Sequence, residues 1–447
     1  MNFWQMPLLR LKDTFPRVHL FTHTDLDGYG SGAIMVKLLH DLLGYPMESI
    51  KVDHVEPSNP YIVDPEDDFV LFTDLSCSNA VNISMFEALV DQMVFTQEPK
   101  PILAWWFDHH ITSVDVIKDH PALGDIPGIV NPDACGAILC WIAYQYTYLL
   151  TRPDADGPSR ATLMDLVDLL KPLSENLHSI QFAEDHPEAD VNVMSGPWLL
   201  PEFAQASGVS RTSRMLLCTD DWDRFVRQDP LSSPFDMAFS HSPQMPRDVK
   251  ARFWQDFYFM PKDHVDRSNA SVIFHELVAF GEADIAWSNY MWLCGLRRNG
   301  FLATLDLTKL SQNPGISPRE IDFLQRSILF VCCPDARSNF NMVIPELGEI
   351  YNFGLLYTDH GDNQTLTIYC YDLVKADKVY GYDARKICQL MGGGGHPGCA
   401  GAKVERVPFG QILPFTQEIK DLLDKKIADV GAQLKPALSP MCEQWMR

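Results

Sequence analysis

Strand-like runs alternate with segments of helical spacing over the first 150 residues. The strand-like runs fall at 18–21, 51–56, 68–75, 101–107 and 128–130. Helical segments separate them, with Ile34, Leu38, Leu39 and Leu42 in the first, residues 78–93 in the second and a further helix from about residue 135. Strands that alternate with helices indicate right-handed βαβ units in a parallel sheet. The pattern therefore predicts an α/β fold with helices on both faces of the sheet.

Acidic and imidazole side chains stand where three of the predicted strands end. They are His23, Asp25 and Asp27 after the first run, Asp74 after the third, and Asp108, His109 and His110 after the fourth. The carboxyl ends of parallel strands are adjacent, so we expect these side chains to converge. Unpaired charges would be costly to bury there, which favours a metal site. The alternative is a solvated turn in which Asp25 or Asp27 caps the next helix.

Weaker signals follow between residues 151 and 270. Apolar residues have helical spacing at 160–173, and residues 187–208 show no regular pattern. An acidic cluster beside aromatic residues occupies 218–225. It is interpreted either as a helix N-terminus with Asp caps or as the source of one more carboxylate for the metal site. Residues 228–270 begin polar and proline-rich and then become helical, which is typical of a connecting segment.

A second domain is predicted after residue 270. Residues 301–307 and 364–371 resemble strands, 317–329 and 384–390 resemble helices, and 409–447 resembles one amphipathic helix with a frayed end. The run Gly392 to Gly395 precedes His396, and glycines carry an entropic cost that needs a reason. Such a run lets backbone N–H groups approach an anion closely, which favours a phosphate clamp over a flexible loop.

Composition restricts the class of protein. The chain has 447 residues, enough for two or three domains, with 46% hydrophobic and 21% charged residues. Its net charge of −23 argues against binding along long nucleic acid, which needs many Lys and Arg contacts to phosphates. Eleven cysteines without a CxxC pair fit a reducing compartment. We find no secretory signal, and we expect residues 134–150 to form a buried helix rather than a membrane span.

Four motifs, taken together and in order, resemble the DHH phosphoesterase superfamily. They are HTDLDG (23–28), TDLS (73–76), DHH (108–110) and GGGGHPGCAG (392–401). The branch that they resemble has a C-terminal DHHA1 domain, and within it the chain is most similar to NrnB-type nanoRNases and related cyclic-nucleotide phosphodiesterases. The resemblance implies a DHH domain at 1–227 with a helical insertion at 151–219, a connection at 228–270, a smaller α/β DHHA1 domain at 271–410 and a helical tail at 411–447. It also implies an active site in the cleft between the two domains.

The resemblance assigns a role to each motif residue. His23 and Asp25 would hold one metal ion, Asp27 and His109 the other, and Asp74 would bridge them. A fourth motif supplies one more Asp, for which Asp220 is chosen because Thr-Asp-x-Trp resembles it, with Asp221 and Asp223 as alternatives. Asp108 would orient a histidine, and His110 would contact the scissile phosphate. Gly394, Gly395 and His396 would bind a phosphate or terminal nucleotide of the substrate. Many relatives carry an arginine on the strand before the Gly-rich helix, but the corresponding strand here, TIYCYDL, has none. Arg337 is a weak candidate to replace it in substrate binding.

These residues predict a hydrolase with two divalent metal ions. The ligands are nitrogen and oxygen only, which suits Mn²⁺, with Mg²⁺ as the alternative. Through a hydroxide that bridges the metals, the enzyme would hydrolyse short oligoribonucleotides or cyclic or linear dinucleotides to mononucleotides. The alternatives are a phosphomonoesterase or polyphosphatase and a nucleotide sensor without catalysis. We expect a cytoplasmic protein, with a homodimer left open and no long nucleic acid or membrane as partner.

Overall fold

The computed structural model divides the chain into two compact units, Met1–Gly281 and Glu282–Arg447. The structure describes residues 3–56, 59–77, 79–94, 102–153, 159–179, 198–209, 212–224, 226, 228–241, 267–306, 329–332, 346, 351, 353–359, 364–370, 383–395 and 398–445. The boundary falls after the predicted connecting segment, 228–270, much of which lies outside the described residues.

A five-stranded parallel sheet forms the centre of the first unit. Its strands are β1 (Val18–Thr22), β2 (Ile50–His54), β3 (Phe69–Thr73), β4 (Leu103–Asp108) and β5 (Gly128–Val130). Their order across the sheet is β2-β1-β3-β4-β5, and every neighbouring pair is parallel. The register pairs Thr22 with His54 and with Thr73, and Thr73 with Phe107. The carboxyl ends of β1, β3 and β4 therefore lie side by side.

Both faces of this sheet are buried, which explains why its strands are nearly continuous apolar runs. Leu20, Leu71 and Trp105 belong to one core cluster, with residues of α5 and α6. Phe21, Phe72 and their neighbours belong to a second cluster on the other face, where the two rings stack at 5.3 Å between centroids. The predicted α/β fold with helices on both faces is confirmed.

Helices accompany the strands of the first unit along the chain. They are α1 (Leu11–Thr14), α2 (Leu26–Lys37), α3 (Ala80–Val94), α4 (Ile111–Asp119), α5 (Gly136–Thr151), α6 (Leu163–Glu175), α7 (Pro201–Ser207), α8 (Arg214–Asp223) and α9 (Ser232–His241). A π-helical stretch, Leu38–Leu42, continues α2, and short 3₁₀ segments lie at Phe3–Gln5, Leu8–Arg10, Met47–Ser49, Pro121–Asp125 and Leu177–Ser179. Helix α10 (Arg267–Asn299) contains the boundary between the units.

Helix α5 is the predicted buried helix. Ten of its residues are buried, and Leu139 and Ile142 belong to the same core cluster as Leu20. Its apolar residues therefore pack in the interior of the first unit. Among the described residues, no helix combines the length and the apolar character needed to cross a bilayer.

The second unit holds a seven-stranded sheet. Its strands are β6 (Phe301–Leu305), β7 (Leu329–Cys332), β8 (Phe353–Asp359), β9 (Gln364–Cys370), β10 (Gly394–Gly395), β11 (Cys399–Val404) and β12 (Phe409–Leu413), in the order β10-β11-β9-β8-β7-β6-β12. Only the pair β7–β8 is parallel among these strands. Helices α11 (Ala384–Gln389) and α12 (Gln417–Trp445) complete the described part of this unit.

Some sequence predictions need correction. Residues 409–447 were predicted as one helix, but Phe409–Leu413 forms a strand that pairs with β6, and the helix begins at Gln417. Residues 201–207 were predicted to be irregular but form α7. The predicted helix 317–329 lies outside the described residues except for Leu329, which begins a strand.

Candidate metal centre

The predicted ligands come together at the carboxyl edge of the parallel sheet. His23 and Asp25 follow β1, Asp74 follows β3, and His109 follows β4. The segment after β3 is fixed on both sides, because Asp74 donates its N–H to the carbonyl of Phe107 at 2.8 Å and the Trp106 indole donates to the carbonyl of Leu75 at 3.0 Å. Parallel pairing therefore carries three separate motifs to one place.

His23, Asp25 and Asp74 form what we call the outer group. Their ligand atoms lie close enough to one another to surround one ion. The Nδ1 atom of His23 lies 2.8 Å from Asp25 Oδ2 and 3.6 Å from Asp74 Oδ2. Asp25 has two roles, since its Oδ1 accepts the N–H of Gly28 at 2.9 Å and caps α2. The geometry of the Asp-rich turn therefore fits both interpretations, because Asp25 caps α2 and also belongs to a group that could surround an ion.

Asp27, His109 and Asp223 form what we call the inner group. They are also close enough to surround one ion. The Nε2 atom of His109 lies 3.0 Å from Asp223 Oδ2 and 3.8 Å from Asp27 Oδ2. The same nitrogen lies 3.2 Å from Asp74 Oδ1, so Asp74 stands between the two groups.

Asp74 has the features of a residue that is held for function. Its φ is +54°, in the left-handed region that only some side chains tolerate. Both side-chain oxygens are buried, and neither accepts a hydrogen bond of good geometry from the described residues. A buried carboxylate whose oxygens accept no hydrogen bond of good geometry is costly, and a bound cation would remove that cost. The residues present therefore fit a pair of metal ions.

Asp220, the predicted fourth carboxylate, contacts Arg224 and Cys135 and is absent from the groups of described residues that could surround an ion. Its two oxygens accept a pair of hydrogen bonds from the Arg224 guanidinium at 2.7 and 2.6 Å, and one oxygen also accepts the N–H of Cys135 at 2.8 Å. Asp221 is also occupied, because it accepts from Gln228, Asp229 and Ser232. Asp223, which the sequence left as an alternative, is the residue beside His109. The acidic cluster lies at the C-terminal end of α8 and not at a helix N-terminus.

The inner group is anchored on the N-terminus of α5. Asp27 accepts the N–H groups of Gly136 and Ala137 at 2.7 and 2.8 Å, where the helix dipole favours a negative charge. Gly136 permits this approach, because a Cβ atom there would lie 2.9 Å from Asp74 Cβ and 3.0 Å from Asp27 Oδ2. Gly136 was not among the predicted site residues, and no local pattern marks it.

Asp108 orients His110. The carboxylate lies 2.8 Å from His110 Nδ1 and also accepts from Ser113, so it is fully engaged at the first turn of α4. Burial lowers the pKa of His110, but the charge of Asp108 outweighs it and the net pKa is raised. The Asp108 charge therefore favours the protonated ring, whose Nδ1 atom lies 3.9 Å from Asp74 Oδ1, and the Nε2 atom is the nitrogen that can contact an anion.

Crowding of carboxylates dominates the electrostatics of the inner group. Burial raises the pKa of Asp27, and repulsion by Asp74 and Asp223 raises it further. Burial also raises the pKa of Asp74, with a further contribution from Asp25. For His109, burial lowers the pKa but the Asp223 and Asp74 carboxylates outweigh it and raise it well above its usual range. Without a cation, this group therefore holds protons.

The outer group behaves differently because its histidine pairs with nearby carboxylates. Burial lowers the pKa of His23, but Asp25, Asp74 and Glu56 raise it far above its usual range. For Asp25, burial raises the pKa, yet the charge of His23 outweighs that effect and lowers it. The imidazole of His23, whose Nε2 atom lies 3.6 Å from Glu56 Oε2, lowers the pKa of Glu56 to about 2. Glu56, which follows β2, was not among the predicted site residues.

The predicted phosphate clamp belongs to the second unit. Gly394 and Gly395 form β10, which pairs with Gly401 and Ala400 of β11. His396 and Arg337 lie outside the described residues. The clamp role of all four predicted residues stays a prediction.

Comparison with known proteins gave only distant structural matches. No protein-family model matches the chain, and no curated protein matches it. A pGpG-specific phosphodiesterase, PggH, from Vibrio cholerae is 13% identical, with 93% of this chain and 99% of that chain covered and a TM-score of 0.33. RecJ with Mn²⁺ from Thermus thermophilus is 13% identical, with 96% of this chain and 55% of that chain covered and a TM-score of 0.34.

A further match is the DHH domain of a member of the s1p family of ribosomal proteins. It is 11% identical, with 96% of this chain and 89% of that chain covered and a TM-score of 0.34. At TM-scores of this size the likeness defines no activity or substrate, so the functional assignment depends on the site itself.

Proposed function

We propose that the chain is a DHH-type phosphodiesterase that works with two divalent metal ions. The observation that carries this proposal is the arrangement of two ligand groups around one buried carboxylate, Asp74. The outer group would hold one ion and the inner group the other. Their nitrogen and oxygen ligands suit Mn²⁺, with Mg²⁺ as the alternative. Bound ions of this kind supply Lewis acidity and a water molecule of lowered pKa.

The remaining residues of the site prepare a phosphate to react. His110 has its Nδ1 atom on Asp108, so its Nε2–H can donate to a non-bridging oxygen of a substrate phosphate. Burial lowers its pKa, but the charge of Asp108 raises it overall, which favours the protonated ring that offsets the negative charge of the phosphate. Asp108 is held by Ser113 and so fixes the orientation of the ring.

The proposed substrates are short oligoribonucleotides or dinucleotides, cleaved to mononucleotides. The net charge of −23 supports a short substrate over a long polymer, since a long polymer needs many basic contacts. The motif resemblance supports the same class. In the second unit, Gly394, Gly395 and His396 would hold a phosphate or nucleotide at the end of the substrate.

A substrate panel tests this function. Purified protein with Mn²⁺ would be given RNA of two to about twenty nucleotides, pGpG, pApA, cyclic dinucleotides and bis-p-nitrophenyl phosphate. We expect rapid loss of the shortest RNAs or of a dinucleotide, with mononucleotides as products. Release of free phosphate alone would indicate a phosphomonoesterase, and tight binding without turnover would indicate a sensor.

The variant Asp74→Ala links that activity to the site. We expect its turnover to fall about a thousandfold, because a metal centre contributes several kcal/mol to the transition state and each 1.4 kcal/mol is about tenfold. Asp91→Ala is the control, since Asp91 is exposed on α3. Full activity in Asp74→Ala would show that this site is not the catalytic one.

A further inference from the structure

The two ring nitrogens of His23 face different carboxylates. Nδ1 faces the other members of the outer group and lies 2.8 Å from Asp25 Oδ2. Nε2 lies on the opposite edge of the ring, 3.6 Å from Glu56 Oε2. The imidazole therefore lies between the candidate ligands and Glu56. Among the described residues, Glu56 belongs to none of the groups that could surround an ion.

The position of Glu56 is set by the end of the β1–β2 pair. The register pairs Thr22 with His54, and Val55 donates its N–H to the carbonyl of Thr22 at 2.8 Å. The hydroxyl of Thr24 then donates to Glu56 Oε1 at 2.5 Å. One oxygen of the carboxylate is thus held by Thr24, and the other is left to face His23.

This arrangement matters because a histidine can bind a metal only through a deprotonated nitrogen. A carboxylate beside the ring nitrogen that faces away from the metal keeps the proton on that nitrogen and fixes the ring. It also makes the other ring nitrogen a better ligand. In His23, the nitrogen that faces away from the candidate ligands is Nε2, and the nitrogen left for an ion is Nδ1.

We propose that Glu56 is a positioning residue for the outer group: it accepts the Nε2–H of His23 and so presents the Nδ1 lone pair to the ion. This inference depends on the proposed metal centre, since it concerns one of its ligands. Glu56 does not touch the ion or the reacting phosphate in this account. Its effect passes entirely through His23.

Metal binding without substrate tests the inference directly. Mn²⁺ would be titrated calorimetrically into the full chain, as wild type, Glu56→Gln, Glu56→Ala and the control Glu66→Gln. Glu66 is exposed and pairs with Arg17, so its variant should bind as wild type. We expect Glu56→Ala to weaken one of the two ions about 10- to 100-fold and to leave the other unchanged. Glu56→Gln should lose less, because its amide oxygen can still accept the hydrogen bond.

A spectroscopic readout separates positioning from simple stability. In ¹⁵N-histidine spectra recorded with Mg²⁺, His23 should carry its proton on Nε2 in the wild type and lose that preference in Glu56→Ala. If Glu56→Ala does not fold, Glu56→Met decides, because it keeps most of the side-chain volume and cannot accept the hydrogen bond. Unchanged Mn²⁺ affinity and an unchanged His23 tautomer would overturn the role of Glu56 while the metal centre stands. If the wild type bound no Mn²⁺, or if Asp74→Ala bound it equally well, the proposed function itself would fail.

Discussion

The outer and inner groups differ in their exposure and in how they are anchored. In the outer group, the side chains of His23 and Asp25 are 18% and 41% exposed. In the inner group, those of His109 and Asp27 are 3% and 1% exposed, that of Asp223 is 18% exposed, and Asp27 is held by the N-terminus of α5. One edge of the sheet therefore carries two groups of candidate ligands with different surroundings. We expect the inner group to bind its ion more tightly, because its ligands are pre-positioned and shielded from water.

Removing one histidine from each group should give the largest contrast. We expect His109→Ala to abolish binding of the tighter ion and to lower turnover about a thousandfold. His23→Ala should weaken only the looser ion. Calorimetric titration with Mn²⁺ measures both affinities. If the two variants lost the same ion, or lost both ions equally, the distinction between the groups would be wrong.

The next contrast is between two aspartates of α8. Asp223→Ala should weaken the tighter ion while the metal-free protein keeps its unfolding temperature. Asp220→Ala should instead destabilise the fold by about 1–3 kcal/mol, because the Arg224 guanidinium and the Cys135 N–H lose their acceptor. Denaturant unfolding without metal and Mn²⁺ titration separate the two effects. The reverse pattern would restore Asp220 as the ligand.

These two aspartates also show which parts of the candidate site could be predicted from the sequence. Consecutive parallel strands bring His23, Asp74 and His109 together, so their meeting could be predicted from local patterns. The choice between Asp220 and Asp223 depends on how α8 is placed against α5, which no local pattern reveals. For the same reason the strand Phe409–Leu413 was missed, because its partner, β6, lies about a hundred residues earlier in the chain.

A smaller effect should come from the helix that anchors the inner group. Gly136→Ala would place a methyl group 2.9 Å from Asp74 Cβ, so α5 or the ligands must shift. We expect a loss of about tenfold in Mn²⁺ affinity and about 1–3 kcal/mol of stability. Gly124→Ala is the matched control, since its methyl would meet only Ile117 at an ordinary 3.4 Å. Equal behaviour of the two variants would argue against the close approach at Gly136.

A separate effect, on the metal-free protein, concerns pH. The raised pKa values of Asp27, Asp74 and His109 mean that the metal-free folded chain binds more protons than the unfolded chain. Its stability should therefore fall as pH rises from 5 to 8, by up to about 1.4 kcal/mol per pH unit for each such proton. Groups with lowered pKa values, such as Asp25 and Asp108, act in the opposite sense but only below about pH 5.

Bound metal should reverse that trend, because ions replace the protons and bind better as pH rises. Thermal unfolding at several pH values, with a chelator and with Mn²⁺, checks both directions. A metal-free protein that became more stable from pH 5 to 8 would contradict the carboxylate crowding described above.

The most direct test of the central claim is anomalous diffraction from crystals grown with Mn²⁺. We expect two peaks about 3.5–4 Å apart, one on either side of Asp74. One peak should contact His23 and Asp25, and the other should contact Asp27, His109 and Asp223. No peak at Asp74, or a peak coordinated by Asp220, would contradict the account.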